Sequence, residues 1–304
     1  MRTVAESQFL QRRKLPDQYL DNAKCWFDPL LQPLSNKRLT KIGRPLIIGL
    51  SGCQGSGKST LADYLCTMVG EQFGLHCLTL SLDDFYLTRT ERRQLADTVH
   101  PLLMTRGVPG THDIGLALRA FQSLIDGTGS TPIPRFDKGK DDRVPPNNWD
   151  QVEGPLDIIV LEGWCIGAGP QSSAELAHPV NSLEQNSDDQ GIWRRFVNHA
   201  LATDYQTLFA LVDTLILLEA PSFDSVFDWR LEQEDKLRAS IKAPSDADLS
   251  ALMTATEIRR FIAHYQRITE HCLRELPARA NYLFKLNEKR QIIASTNPPT
   301  IAIY

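Results

Sequence analysis

The chain is 304 residues long, 42% hydrophobic and 23% charged, with 33 basic and 37 acidic residues and a formal net charge of -4. That composition suits a folded globular chain and excludes a disordered or fibrous one, and apolar runs such as Pro45–Leu50 and Leu215–Leu218 fall far short of the ~20 residues of a membrane helix. The near-balanced charge gives no global pull towards nucleic acid or membrane surfaces, so any chemistry must sit in local motifs.

Residues 1–44 read as a helical extension, with Phe9, Leu10, Leu15, Tyr19, Leu20, Trp26, Phe27, Leu30 and Leu31 spaced for packing onto something else. The polar start has no apolar signal core, which predicts a cytoplasmic protein. The six cysteines (25, 53, 66, 77, 165 and 272) form no CxxC pair and are expected to be reduced thiols, mostly small core residues. From residue 45 to 304 one larger domain is expected. Its buried strands are read at Pro45–Leu50, His76–Leu82, Leu156–Leu161, Asp213–Leu218 and Asn281–Leu286. Helices are read at Lys58–Met68, Asp113–Leu124, Ile192–Phe209, Ser222–Ser240 and Asp246–Leu276, the last opened by a Ser245/Asp248 capping box. Gly167–Gln190 reads as a polar, mobile surface loop, and Pro132–Asp150 as an irregular stretch. Strands alternating with helices predict an α/β fold whose mostly parallel sheet is covered on both faces.

Gly52-Cys53-Gln54-Gly55-Ser56-Gly57-Lys58-Ser59 fits G-x-x-x-x-G-K-[ST] at every fixed position, between a buried strand and an amphipathic helix. Glycines let backbone N–H groups curl around phosphate oxygens, and the helix N-terminus adds partial positive charge. Gly52, Gln54, Gly55, Ser56, Gly57, Lys58, Ser59 and Thr60 are therefore candidates to bind ATP. Lys58 reaches for the β- and γ-phosphates, and Ser59 is placed to ligate Mg²⁺.

Ligands in open α/β sheets bind at the carboxyl ends of strands, and three such ends carry acids: Asp83-Asp84, Glu162 and Glu219. Glu162 is assigned to the Mg²⁺ shell, and Glu219, just before Pro221, to a structural role. Asp83 is preferred as the catalytic base, with Asp84 a contact to Mg²⁺ or a cap. No [ST]-Lys-x-Asp guanine-selectivity motif follows the fourth strand, which disfavours a GTPase switch.

The P-loop, Ser81–Tyr86 and Leu161–Trp164 together resemble the P-loop small-molecule kinases of the uridine kinase, phosphoribulokinase and pantothenate kinase group. Pro109–Asp113, Pro134–Arg143, Glu162–Gly167 and Trp229–Glu234 are similar to the plant and fungal type D-glycerate 3-kinase branch and its bacterial relatives. The likeness covers roughly residues 45–290, outside the N-terminal extension. It implies a three-layer P-loop NTPase fold with a helical lid, and ATP- and Mg²⁺-dependent transfer to a small hydroxy acid. The expected form is a monomer or homodimer. The resemblance puts an acceptor pocket at Arg135, Asp137 and Lys138. Arg106 and His112 stand near it as further candidates, with Tyr86 and Trp164 either walls or core, and Thr111 or Asp113 a helix cap. The helix from Phe227 reads as a solvent-facing helix or a lid, whose Arg230, Lys236 or Arg238 would close over the phosphates. Other acceptors (a nucleoside, pantothenate or a sugar) and a non-catalytic ATP-dependent regulator remain the rival readings.

Overall fold

The computed structural model describes residues 2–240 and 253–296. Three helices open it: α1 (Val4–Arg13), α2 (Tyr19–Trp26) and α3 (Asp28–Leu39). Strand β1 (Leu46–Gly52) runs into the glycine loop and α4 (Lys58–Phe73), and β2 (Cys77–Ser81) follows. Helices α5 (Arg89–Thr98) and α6 (Ile114–Asp126) lead to four short strands, β3 (Ser130–Ile133), β4 (Phe136–Asp137), β5 (Asp142–Arg143) and β6 (Asp150–Glu153). Next come β7 (Ile158–Gly163), α7 (Ser182–Ser187), α8 (Ile192–Ala202), α9 (Asp204–Phe209), β8 (Thr214–Glu219) and α10 (Phe223–Ser240). The described part closes with α11 (Ala255–Glu275), β9 (Tyr282–Leu286) and β10 (Ile292–Thr296).

The main sheet has the order β10-β9-β8-β1-β7-β2, parallel except for β10. Its strands alternate side chains between two separate cores. Leu46, Ile48 and Leu50 of β1 and Ile158 and Val160 of β7 enter one core, while Ile47, Ile159 and Leu161 enter the other. Helices cover both, giving the expected three layers. The first core also takes Phe9, Leu20, Phe27, Leu30 and Leu34, so the extension packs directly on the sheet and α4. Chain order departs to both sides of β1, with β7 and β2 on one flank and β8 and β9 on the other. Such a switch point opens a crevice at the strand ends, and the glycine loop lies there.

Several details differ from the sequence reading. The helix expected over Ile192–Phe209 breaks at Thr203 (φ -111°, ψ -92°), whose hydroxyl turns back onto the His199 and Ala200 carbonyls. Gly167–Gln190 is no loose loop: its Glu184 is fully buried against Arg267 at 2.6 Å, and Asp188 against Arg194 at 3.0 Å. These are buried carboxylates that composition alone reads as solvated. The capping box at Ser245/Asp248 lies outside the described residues, and α11 is instead capped by Thr254 and Glu257. Cys66 on α4 and Cys77 at the start of β2 form a disulfide across a Cα–Cα distance of 5.0 Å, so not all six thiols stay free. Among the described residues no helix is long and apolar enough to cross a membrane.

Candidate active site

Alignment of the strands brings the acids to the glycine loop. Pairing of β7 sets Glu162 opposite Leu50 of β1 on one side and Ser81 of β2 on the other. Asp83, two residues past β2, and Lys58, just past β1, thus converge on Glu162. All three open into one cavity of ≈ 850 Å³, together with Gln54 to Thr60 and Lys138.

Within the loop, Gly55 (φ +79°) and Gly57 (φ +92°) have backbone conformations that L side chains rarely adopt. A Cβ on Gly55 would also lie 2.8 Å from Cβ of Trp229, so the loop is shaped around α10. Gly52 closes the loop's base beneath Ser56. The hydroxyls of Ser51 and Ser56, Oε1 of Gln54 and Oε2 of Glu162 are buried and make no hydrogen bond among the described residues. Buried polar atoms are normally satisfied, so this cluster suits a polar ligand.

Ser59 Oγ donates to Glu162 Oε1 at 2.8 Å, and Lys58 Nζ stands 3.9 Å from Glu162 Oε2. Glu162 is 5% exposed. One hydroxyl and one carboxylate with a free oxygen fit Mg²⁺, which takes one or two protein oxygens and completes its shell with phosphates and water. No group of three or more His, Cys, Asp or Glu residues suited to a metal occurs among the described residues.

Asp83 accepts hydrogen bonds from Tyr86 Oη and Lys138 Nζ, both at 2.7 Å. Burial pushes its carboxyl up, but the Lys138 and Lys58 charges and these two bonds outweigh it, bringing it down to about 2. Asp84 turns the other way. It receives Arg135 at 2.8 Å and the Phe136 backbone N–H, and burial pushes it up against the pull of Arg135. Asp84 thus pairs with Arg135 in this structure, a partner that the reading as a Mg²⁺ contact or a cap did not foresee.

Four further residues serve as supports. Tyr86 is 4% exposed and lies over His112 with ring centroids 4.6 Å apart. His112, itself buried, bonds through Nδ1 to Tyr205, and burial draws its imidazole down to about 4 against the charge of Asp83. It is neutral and sits behind the site. Trp164 is 3% exposed, donates to Gly107 O at 2.9 Å and meets Tyr265 edge-on, so it is core and not a pocket wall. Arg106 is paired with Asp141 and lies 5.5 Å from the Phe136 ring.

The hairpin β4–β5 delivers the cations. Asp137 caps its turn by accepting from Gly139 and Lys140 N–H, and so shapes the loop instead of reaching the cavity. Lys138 then points at Asp83, and Arg135 bridges Asp84 and Asp150. Asp113 caps α6 through Leu116 N–H, while the buried Thr111 holds Gly107. Glu219 pairs with Lys285 at 3.4 Å.

Helix α10 overhangs the loop. Lys236 and Gln233 line the cavity, and Arg290 of the β9–β10 turn joins them. Arg290 was missed in the sequence because it lies far along the chain, outside any motif. It adopts φ +61° and pairs with Glu232 of α10. Arg230 is held by Glu234 at 2.7 Å, and Arg238 faces outward beside Asp235. Trp229 Nε1 donates to Glu288 O at 2.6 Å, pinning α10 to the β9–β10 turn.

No protein-family model matches the chain. A kinase of Schizosaccharomyces pombe, named mug58 and called uncharacterized, is 37% identical over 233 residues, 73% of this chain and 79% of its own. The chloroplastic D-glycerate 3-kinase of Arabidopsis thaliana is 30% identical over 233 residues, 73% of this chain but 46% of its own length. Among solved structures, D-glycerate 3-kinase from Cryptococcus neoformans superposes with a TM-score of 0.70 at 26% identity, covering 88% of this chain and 96% of the other. The chain belongs to the P-loop kinases, in the family that includes D-glycerate 3-kinase and uridine kinase.

Proposed function

We propose that the protein transfers the γ-phosphoryl group of ATP to a hydroxyl of D-glycerate, giving 3-phosphoglycerate. The observation that carries this reading is the Asp83–Lys138 pair, which opens onto the same cavity as Lys58 and Glu162. An acceptor of this kind needs an acid for its hydroxyl and cations for its carboxylate, and both types stand together here.

The glycine-loop N–H groups and Lys58 would cradle the phosphates. Ser59 and Glu162 would hold Mg²⁺, which when bound neutralises charge on the phosphate oxygens. Lys138, whose side chain is 62% exposed, would leave Asp83 to meet the acceptor carboxylate, joined by Arg135. Asp83, freed of one partner, would accept a hydrogen bond from the acceptor hydroxyl. Still held by Tyr86, it would orient the hydroxyl for in-line attack. In a loose transition state the proton leaves late, and positioning supplies most of the rate gain. Helix α10, with Gln233 and Lys236 over the loop, would shield the transfer from water.

The test is ADP release by the purified protein with Mg²⁺-ATP across D-glycerate, L-glycerate, nucleosides, pantothenate and sugars. Stimulation by D-glycerate alone is expected. Stimulation by another acceptor would reassign the substrate, and slow hydrolysis that no acceptor stimulates would indicate a nucleotide-driven regulator.

A further inference from the structure

The hairpin that delivers Lys138 is too small to hold itself in place. Its strands β4 and β5 pair only Phe136 with Arg143 and Asp137 with Asp142, and a lone two-stranded ribbon is marginal in water. Residues 138–141 form the loop between the strands. Lys138 opens this loop. Asp141 closes it at φ +54°, a left-handed conformation that Asp adopts more readily than most side chains. A loop with its cation at one end is placed by whatever grips the other.

Helix α5 supplies the grip. Its Arg92 is fully buried and does not line the cavity. Arg92 Nη2 donates to the Asp141 carbonyl at 2.6 Å and stands 2.9 Å from the Asp141 carboxylate. Nη1 donates to Met104 O at 2.8 Å and Nε to Leu87 O at 3.3 Å, so the guanidinium is itself fixed on two further sides. Arg106 pairs with the same carboxylate from outside. The first N–H of α5, on Arg89, donates to Asp142 Oδ1 at 2.9 Å. Arg92 and Arg106 also stand 5.9 and 5.5 Å from the centroid of the Phe136 ring on β4.

We propose that Arg92 and Asp141 are positioning residues for acceptor recognition: the buried guanidinium fixes the end of the hairpin loop, and the loop fixes the reach of Lys138. The proposal rests on the reading of Lys138 as the cation that meets the acceptor carboxylate. A buried, paired guanidinium gains little stability over an apolar side chain of similar size, so what Arg92 adds is geometry. Its planar fork holds three chain segments at once, which neither an apolar side chain nor a lysine does. Lys138 Nζ lies 2.7 Å from Asp83, close enough that a small shift of the loop would change the pairing.

Steady-state kinetics of the full chain test this, with ATP and the acceptor that stimulates ADP release varied separately. Arg92→Lys keeps the charge and loses the fork. It should raise the acceptor KM about tenfold while kcat and the ATP KM stay within about threefold. Asp141→Asn is near-isosteric, tolerates the left-handed backbone and keeps the carbonyl that Arg92 bonds. It should show the same split at several-fold, and carries the test where Arg92→Lys destabilises the chain. In a Lys138→Ala background, either substitution should change kcat/KM for the acceptor by less than about twofold, because the group they position is gone. An acceptor KM near wild type in both single variants would overturn the proposal. So would a parallel rise in the ATP KM, or an undiminished effect on top of Lys138→Ala. Absence of acceptor-stimulated turnover in the wild type would instead remove the kinase reading, and the proposal with it.

Discussion

Replacing Glu162 by Gln removes one charge at nearly constant size. The carboxylate is buried, accepts from Ser59 at 2.8 Å and lies 3.9 Å from Lys58 Nζ. Two unit charges at that separation interact by about 4 kcal/mol at an effective dielectric constant of about 20. Desolvation offsets much of this, so about 1–2 kcal/mol should be visible, roughly 5–30-fold in affinity. The sign depends on the metal. In EDTA the phosphates of ATP approach a like charge, so Glu162→Gln should bind ATP more tightly by that factor, Lys58 being freed at the same time. With Mg²⁺ the variant lacks an anionic oxygen for the ion. The Mg²⁺ concentration needed for half-maximal rate should rise, and kcat should fall about a hundredfold. Titration calorimetry in EDTA and coupled ADP release across a Mg²⁺ series read the two arms. Wild-type turnover and Mg²⁺ dependence in the variant, or weaker ATP binding in EDTA, would refute the assignment of Glu162.

Tyr86→Phe deletes the hydroxyl that holds Asp83 at 2.7 Å, so kcat should drop several-fold to about tenfold while thermal stability changes little, checked by kinetics and a melting curve. Arg135→Ala should raise the acceptor KM at least about tenfold and leave the ATP KM near wild type, since the guanidinium bridges Asp84 and Asp150 and does not touch the glycine loop. Equal loss for both substrates would contradict that placement. The buried His112 titrates at about 4 when folded and near 6.5 when unfolded, so the unfolded state binds the proton first as pH falls. Its stabilising effect is present above about pH 6.5 and is lost between there and about 4, by up to about 3 kcal/mol. Chemical denaturation at pH 7 and pH 4.5 should show that decline, and His112→Asn should flatten it.

Of the five core strands, β1, β7 and β8 were legible as short, nearly continuous apolar runs and β2 and β9 as runs of apolar residues broken by polar ones, and the glycine loop was legible because Gly57-Lys58-Ser59 has a fixed spacing. That Glu162 and Asp83 would lie beside the glycine loop was legible because strand ends are where such sheets open their crevice. Local sequence was silent on which acid each cation meets. Arg135 goes to Asp84 and Lys138 to Asp83 through a hairpin whose turn is set by Asp137, and only tertiary structure decides that. Sequence left Trp164 between wall and core and Asp84 between Mg²⁺ and a cap, because a residue beside an acid at a strand end is as often core or ion-paired as exposed to ligand; the structure buries Trp164 and pairs Asp84 with Arg135. Glu184 and Asp188 hid in a polar stretch, since Arg267 reaches Glu184 from far along the chain and Arg194 turns back onto Asp188 from the first turn of the next helix. Arg290 lies in no motif, and was brought to the loop by the order of the sheet.

The most direct measurement of the central claim follows the phosphorus itself. ATP labelled in its γ-phosphate is incubated with the protein, Mg²⁺ and D-glycerate, and the products are identified by ³¹P resonance. The account predicts one labelled ester, 3-phosphoglycerate, formed in equal amount to ADP. Label found only as inorganic phosphate, at a rate indifferent to glycerate, would contradict it.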